Sequence, residues 1–159
     1  MKDFNQALSY SFLLLKYRAR SRNEIISRLK KKGYTSKIRE QTTDYLEKNN
    51  YLNDADFTNF FVSYALEKGW GPRRIDFNLK RLGISSSLRK IALEKDFDYN
   101  KTVREIILRM LGNYRAKKPA IAAKKIWNRI VTHLVQKGFD REVIYQEMKN
   151  LGVDRFEDK

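Results

Sequence analysis

The sequence contains no cysteine, a single histidine and only two prolines in 159 residues. The absence of cysteine excludes disulfide bonds and thiolate chemistry, and it fits a reducing, intracellular setting. No run approaches the roughly 18–20 consecutive apolar residues that a transmembrane helix needs. The apolar run at residues 12–15 follows polar residues and is too short for an anchor or a signal peptide. We therefore expect a cytoplasmic protein without a membrane segment.

Acidic residues are few compared with basic ones. Lys and Arg number 34 against 19 Asp and Glu, which gives a formal net charge of +15 and a pI near 10.0. A surface this positive attracts polyanions or acidic protein grooves. Hydrophobic residues make up 42% of the chain and aromatic residues 13%, which is enough for a core. The composition favours a basic binding module over a metabolic enzyme.

Residue patterns typical of catalysis are weak. His133 has no carboxylate at helical contact spacing and is interpreted as a surface or boundary residue. Asp54 and Asp56 suit the first turn of a helix, where carboxylates stabilise the positive end of the dipole, better than a metal site. The segment Gly69-Trp70-Gly71 lacks the glycine spacing and the following Lys-Ser/Thr of a phosphate-binding loop. We expect no enzymatic activity, no cofactor and no bound metal.

Apolar residues recur at helical spacing along nearly the whole chain, without the alternation typical of strands, so we expect an all-α fold. Gly33, Gly83 and Gly138 mark an internal repeat, since each is followed by a large apolar residue. Each glycine is expected to end a helix, because glycine adopts a left-handed conformation at little cost. Apolar columns accompany the glycines: Ile25, Ile75 and Ile130; Leu29, Leu79 and Leu134; and Ile38, Leu88 and Val143. Glycine spacings of 50 and 55 residues suit a three-helix unit repeated three times.

The repeats predict the domain organisation. Residues 4–51 form the first three-helix repeat, residues 53–96 the second and residues 98–153 the third, and residues 154–159 form a frayed tail. Each unit is too small to bury its apolar faces alone. We therefore expect the repeats to stack into an elongated, curved, solenoid-like body.

Local signals predict helix starts and buried faces. Ser21 and Glu24 have the spacing of a capping box, and Pro119 is expected to open a long helix that reaches Lys137. The other expected N-caps are Thr35, Asn53 or Asp54, Ser85 or Ser86, and Asp140. The predicted core faces are Phe4, Leu8, Phe12 and Leu15; Phe57, Phe60, Phe61 and Tyr64; and Val103, Ile106, Ile107, Met110 and Tyr114.

Basic residues are patterned on the second helix of each repeat. With Ile75 facing the core, the opposite side of the second repeat carries four cations around Phe77, a footprint that suits phosphates and a base or a carboxylate-rich groove. Packing of Phe77 against a neighbouring repeat is an equally open interpretation. The predicted partner- or DNA-binding residues are Arg18, Arg20, Arg22, Lys30, Lys31, Arg73, Arg74, Phe77, Lys80, Arg81, Lys124, Lys125 and Arg129.

Residues 51–83, joined to the segment YRARSRNEIISRLKKKGY at residues 17–34, resemble the RecX family of recombinase regulators. The matching features are Arg-x-Arg-Ser with an acidic residue shortly after it, a Leu-x-Asp turn, and a Gly-Pro-Arg-x-Ile-x-x-x-Leu-x-x-x-Gly-Ile run. The resemblance covers roughly residues 7–95.

The resemblance implies a partner and an activity. Members of the family are three tandem three-helix repeats that lie in the helical groove of the RecA recombinase filament on DNA. There they block filament growth and inhibit ATP hydrolysis, strand exchange and the co-protease activity that triggers the SOS response. We expect this chain, as a monomer, to bind the RecA filament and single- or double-stranded DNA, directly or through the filament. The extra amino-terminal element of some members is expected to be absent.

An autonomous DNA-binding protein is the alternative function. Three-helix units resemble helix-turn-helix modules, and the positive charge suits phosphate binding. Against this alternative, the cationic face of the second repeat lies on its second helix rather than its third. The third helix of the first repeat, at residues 35–49, is mixed in charge, with Glu40, Asp44 and Glu47. A hydrolase or nuclease has no residue constellation to support it.

Overall fold

The computed structural model describes residues 3–95, 97–117 and 123–153, and within these ranges the chain is all-α. The predicted all-α class is confirmed. Pro119 and the tail at residues 154–159 lie outside the described residues. The helices of the described ranges are α1 Phe4–Tyr17, α2 Arg22–Lys31, α3 Ser36–Lys48, α4 Asp54–Glu67, α5 Pro72–Arg81, α6 Ser86–Leu93, α7 Tyr99–Lys117, α8 Ala123–Lys137 and α9 Arg141–Asn150.

The helices follow one another as three triplets, α1–α3, α4–α6 and α7–α9, and the chain folds into two compact units. The first unit comprises Met1–Ser63 and Asn78–Leu93, and the second comprises Tyr64–Phe77 and Glu94–Lys159. The first triplet therefore lies within the first unit and the third triplet within the second, while α4 and α5 contribute to both. The predicted boundaries of the three repeats stay a prediction.

The second helix of each triplet, α2, α5 or α8, ends in the same way. Gly33, Gly83 and Gly138 have φ values of 80°, 80° and 92°, which glycine adopts without a steric penalty. In each case the next residue donates its backbone N–H to the carbonyl of the leucine four residues before the glycine, at 3.1 Å. This is the Schellman motif, which satisfies carbonyls that the helix end would leave without partners. The predicted glycine stops are confirmed.

Two apolar columns of the repeat form the centre of the core. The isoleucines and leucines eight and four residues before each glycine are all 0% exposed, and they are Ile25, Leu29, Ile75, Leu79, Ile130 and Leu134. The third column, Ile38, Leu88 and Val143, is only partly buried. Hydrophobic burial contributes about 25 cal/mol per Å² of apolar surface, so each of these residues stabilises its triplet.

In the first unit, the start of α2 docks onto the end of α5. The Ser21 hydroxyl donates a hydrogen bond of 2.6 Å to the Leu82 carbonyl while its oxygen accepts the Glu24 N–H at 3.2 Å. A Cβ added to Gly83 would lie 2.4 Å from the Cβ of Asn23, which is too close for any side chain. Glycine is therefore required at position 83 for two reasons: the backbone has a positive φ, and α2 leaves no space for a side chain.

In the second unit, the start of α5 docks in the same way onto the end of α8. The Gly71 N–H donates to the Lys137 carbonyl at 2.7 Å, and the Arg73 N–H donates to the Gly138 carbonyl at 3.1 Å. A Cβ added to Gly138 would lie 2.4 Å from the backbone nitrogen of Arg74. N–H groups at a helix start and carbonyls at a helix end, which lack intrahelical partners, therefore satisfy each other.

The predicted N-caps are mostly confirmed. The capping box of Ser21 and Glu24 is complete, and Thr35 and Ser85 accept N–H groups of α3 and α6 at 3.4 Å. Asn53, rather than Asp54, caps α4, because its side chain accepts the Ala55 N–H at 2.9 Å. Asp54 instead accepts the Arg22 N–H at 2.8 Å.

The predicted cap at Asp140 is confirmed in position but not in its side-chain hydrogen bond. Asp140 occupies the N-cap position of α9, but its side chain makes no capping hydrogen bond. It forms an ion pair with Arg73 instead. The carboxylate has a charged partner within reach, and a charge-assisted hydrogen bond is stronger than one to a neutral backbone N–H.

Two predicted core faces are rotated relative to the observed ones. In α1 the buried residues are Ala7, Ser11 and Leu14, whereas Phe4, Leu8, Phe12 and Leu15 are partly buried around them. In α4 the predicted core residues Phe60 and Tyr64 are 64% and 44% exposed, and Thr58 and Val62 are buried in their place. The side chains of Ser11 and Thr58 are tolerated inside because each donates to the carbonyl four residues earlier, at 2.8 and 2.6 Å.

The first and third triplets each enclose a hydrophobic cluster. The cluster of the first consists of Ala7, Leu14, Ile25, Leu29, Leu46 and Leu52. That of the third consists of Val103, Ile106, Ile107, Ile130, Val131, Leu134, Phe139, Ile144 and Met148. Only the first part of the predicted α7 face is therefore fully buried: Met110 packs on the cluster while partly exposed, and Tyr114 is only partly buried. The buried carboxylate of Glu147 accepts a hydrogen bond of 2.8 Å from Arg104 Nε, which ties α9 to α7.

Gly138→Ala should destabilise the protein much more than Gly152→Ala. Gly152 has a φ of +68° but open space around its missing Cβ, so alanine there meets only the left-handed penalty of about 1–2 kcal/mol. At Gly138 the collision with Arg74 adds to that penalty, and we expect a loss of about 3 kcal/mol or more. Urea unfolding of the two variants measures the difference. Equal losses of unfolding free energy in the two variants would show that the contact between Gly138 and the start of α5 adds no cost to the substitution.

Gly112→Ala should stabilise the protein. Gly112 lies inside α7, and a Cβ added there meets no atom within 4 Å. Alanine in a helix interior is favoured over glycine by about 0.5–1 kcal/mol. The free energy of unfolding should rise by about that amount, whereas Gly71→Ala, whose Cβ would lie 2.5 Å from the Gly138 backbone, should lower it. A decrease for Gly112→Ala would contradict the helical assignment at that position.

Candidate interaction surfaces

Helix α5 carries a row of exposed residues. Arg73, Lys80 and Arg81 are exposed, Phe77 is 59% exposed, and Arg74 is partly buried. The helix begins at Pro72 and is held at both ends by the glycine junctions described above. The exposure of Phe77 agrees with the outward orientation considered from the sequence.

Arg73 and Arg74 also have intramolecular roles at the start of α5. Arg73 pairs with Asp140, although its side chain remains 73% exposed. The guanidinium of Arg74 lies 4.2 Å from the centre of the Trp70 ring and donates to the Gln136 carbonyl at 3.4 Å. Arg74 therefore combines a cation–π contact with a hydrogen bond to the last turn of α8.

The arginines of the α1–α2 connection, Arg18 and Arg20, and Arg22 at the start of α2 are bound to carboxylates of the first unit. Arg18 pairs with Glu24 at 2.5 Å, and Arg22 pairs with Asp44 at 2.8 Å and with Glu47. Arg20 is only 10% exposed, lies 3.6 Å from Glu24 and donates to the Leu14 carbonyl at 3.2 Å. These arginines hold the α1–α2 connection, whereas Lys30 and Lys31 at the end of α2 are exposed.

An open groove of about 650 Å³ lies between α7 and α8 in the second unit. Its residues come from one edge of α7 and from the outer face of α8. It contains the three predicted cations of this triplet. The lining residues are Met110, Tyr114, Lys124, Lys125, Asn128, Arg129, Thr132, His133 and Gln136. The structure thus brings Lys124, Lys125 and Arg129 together in one concave surface.

Positive charge is crowded around His133 at one end of this groove. Partial burial lowers the pKa of His133 below its usual value, and the charges of Lys137 and Arg109 lower it further. The pKa of Lys137 is also lowered, by burial and then by Arg74 and Arg109. The like charges around His133 and Lys137 are the second cause of these shifts, after burial, and the binding of an anion would relieve their repulsion.

Sequence reasoning missed part of this cluster. Arg109 and Lys137 are not among the predicted binding residues, because they lie far apart in the sequence and on different helices. The i, i+4 spacing of His133 and Lys137 was the available signal, since residues four apart lie on one helix face. Nothing in the sequence indicated that Arg74 would join them across the second unit.

Two general features limit the chemistry of the described part of the chain. None of its helices is long and apolar enough to span a lipid bilayer. Within the same ranges, no group of three or more His, Cys, Asp or Glu side chains is close enough to hold a metal ion.

The fold and the surfaces define a class: a basic, all-α protein built from three-helix triplets, with the exposed charges of a binding module. Family models for the RecX first and second three-helix domains match residues 7–46 and 53–93, which together make up about half of the chain. The chain belongs to the RecX family.

Curated relatives called regulatory protein RecX are similar over much of the chain. The Mannheimia succiniciproducens protein is 26% identical over 80% of this chain and 84% of its own length. The Finegoldia magna protein is 28% identical over 92% of this chain and 72% of its own. The Geobacillus thermodenitrificans protein is 33% identical over 90% of this chain, which spans only 51% of that relative.

Solved structures share the fold. The crystal structure of RecX from Lactobacillus salivarius matches with a TM-score of 0.80 and 19% identity, covering 96% of this chain and 98% of that one. A second crystal structure of regulatory protein RecX matches with a TM-score of 0.79 and 21% identity, covering 92% and 73% of the two chains. At these identities the structural likeness bears on the fold alone.

Acidification should destabilise the protein partly through His133. Because the folded-state pKa lies below the usual 6.5, the unfolded chain binds the proton more tightly, so stability falls as the pH drops through about 6.5. His133→Gln should reduce the loss of stability between about pH 7.5 and pH 5.5, measured by urea unfolding. Arg109→Gln should raise the pKa of His133 in an NMR titration. An unchanged pKa of His133 in that variant would show that the charge of Arg109 does not act on His133.

Proposed function

We propose that this chain binds the RecA recombinase filament on DNA and acts as a negative regulator of recombination and of the SOS response. It would lower ATP hydrolysis, strand exchange and co-protease activity of the filament. Membership of the RecX family of regulatory proteins carries this proposal. We further propose that the chain acts as a monomer in the cytoplasm, in contact with single- or double-stranded DNA directly or through the filament.

The charge of the chain supports a filament as the partner. A net charge of +15 favours a polyanionic complex. A filament repeats the same binding surface along its length, so several weak contacts made by one chain act together through high effective concentration. Lys80 and Arg81 on α5, and Lys30 and Lys31 on α2, are exposed and can form such contacts.

Inhibition of ATP hydrolysis needs no catalytic residue in this chain. A ligand shifts a conformational equilibrium by its difference in affinity for the two states. Preferential binding to a filament state that hydrolyses ATP slowly is therefore sufficient. The exposed cations of α5, with Phe77 between them, are the residues that we propose to provide this preference.

The double variant Lys80→Glu with Arg81→Glu should inhibit RecA poorly. The measurement is ATP hydrolysis by RecA on single-stranded DNA with substoichiometric amounts of the protein. We expect the concentration for half-inhibition to rise about tenfold or more, since two exposed ion pairs of about 0.7 kcal/mol each are lost. Arg73 is left unchanged because glutamate at that position would place a second carboxylate next to Asp140.

Lys37→Glu with Lys48→Glu is the matched control. Both lysines are exposed on α3, and the change in net charge is the same. Circular dichroism checks the fold of both double variants. Equal loss of inhibition in the two would indicate a non-specific charge effect. No inhibition by the unsubstituted protein, together with tight, salt-sensitive binding to naked duplex DNA, would favour the autonomous DNA-binding alternative.

A further inference from the structure

We infer that the groove between α7 and α8 binds a short segment of single-stranded nucleic acid, with phosphates on Lys125 and Arg129 and a base against Tyr114. The inference rests on the proposed function for its setting, a filament that contains single-stranded DNA. The residues that would bind the strand all lie in one groove of the second unit, and none of them belongs to α5.

The charge of the groove favours an anion. Lys124, Lys125 and Arg129 line it together with His133, and none of its nine described lining residues is acidic. Arg109 and Lys137 add positive charge near its His133 end, as their effect on the pKa of His133 requires. Concave surfaces lined by one sign of charge focus the field and attract ions of the opposite sign.

The uncharged lining favours a nucleic acid over an acidic peptide. The guanidinium of Arg129 lies 5.9 Å from the centre of the Tyr114 ring, so an aromatic surface and a phosphate-binding group are adjacent. Met110 adds apolar surface, and the amides of Asn128 and Gln136 carry both donors and acceptors, as base edges do. Aromatic stacking beside a cationic track is the usual design of single-strand binding sites.

The dimensions suit a few nucleotides. Lys125, Arg129, Thr132 and Gln136 are spaced along one face of α8. At 1.5 Å per residue they span about 16 Å, which corresponds to about five nucleotides of a stacked strand at 3.4 Å each. A cavity of about 650 Å³ lies within the usual range for ligand sites. A duplex, by contrast, cannot present an unstacked base to Tyr114.

His133 provides a direct probe of this groove, because it is the single histidine of the chain. Burial lowers the pKa of His133, and the charges of Lys137 on its own helix and Arg109 on α7 lower it further. Arg129 lies one turn away on α8. Bound phosphates would neutralise this field. The pKa of His133 should therefore rise when an oligonucleotide binds.

The test measures binding of a fluorescent oligo-dT of about ten nucleotides to the full chain, without recombinase. Lys125→Gln with Arg129→Gln should weaken binding about tenfold and reduce the slope of log K against log salt by about 1.4, because two phosphate contacts are lost. Tyr114→Ala should weaken binding about fivefold or more with an unchanged salt slope. The control Lys37→Gln with Lys48→Gln, of equal charge change on α3, should bind within about twofold of the unsubstituted protein.

The inference would be overturned if oligo-dT did not bind, or if the α3 control variant weakened binding as much as the groove variant. It would also be overturned if duplex DNA bound as tightly as single-stranded DNA and Tyr114→Ala had no effect. Displacement of oligo-dT by polyglutamate of equal charge would likewise contradict it. If a groove variant fails to fold, the His133 titration in the unsubstituted protein decides: an unchanged pKa on binding overturns the site. Because the assay contains no recombinase, failure here leaves the ATP hydrolysis test intact, and failure of that test leaves this one intact.

Discussion

The contact on which this structure depends is the docking of one helix start onto the glycine that ends another helix. Because Gly83 and Gly138 have no side chain, the backbone of each Schellman turn is open to close approach by another helix. The start of α2 contacts the turn at Gly83 through Ser21 in the first unit. The start of α5 contacts the turn at Gly138 through Gly71 and Arg73 in the second unit. Backbone groups that would otherwise need water are satisfied by each other, so small triplets with modest cores gain specific neighbours.

This contact also fixes the helices that carry the charge. The second helices present the cations proposed to bind a partner, including Lys30 and Lys31 on α2, Lys80 and Arg81 on α5, and Lys125 and Arg129 on α8. The junctions between these helices are made by backbone groups and by the short Ser21 side chain, so the position of each helix follows from the fold. The helices that carry these cations are ordered when the chain folds, before any partner binds.

The sequence predicted the periodic features well, because backbone rules are local. Glycine stops, the capping box and the isoleucine and leucine columns depend on residues within one turn or two. The corrections concern side-chain partners and exposure: Asp140 pairs with Arg73, and Phe60 and Tyr64 are exposed. The ion pairs of Arg18, Arg20 and Arg22 within the first unit were not predicted, and the binding role of these arginines stays a prediction. The groove between α7 and α8 could not be predicted from the sequence, since its two walls lie on different helices and no local pattern sets their separation.

Amide hydrogen exchange at Gly71 and Arg73 tests the docking contact most directly. The first N–H groups of a helix have no intrahelical partner and ordinarily exchange fast. Here they donate to Lys137 and Gly138 at 2.7 and 3.1 Å. The account predicts that both amides are protected to the same degree as the core amides of α8, such as that of Leu134. Exchange as fast as at an unprotected helix start would contradict it.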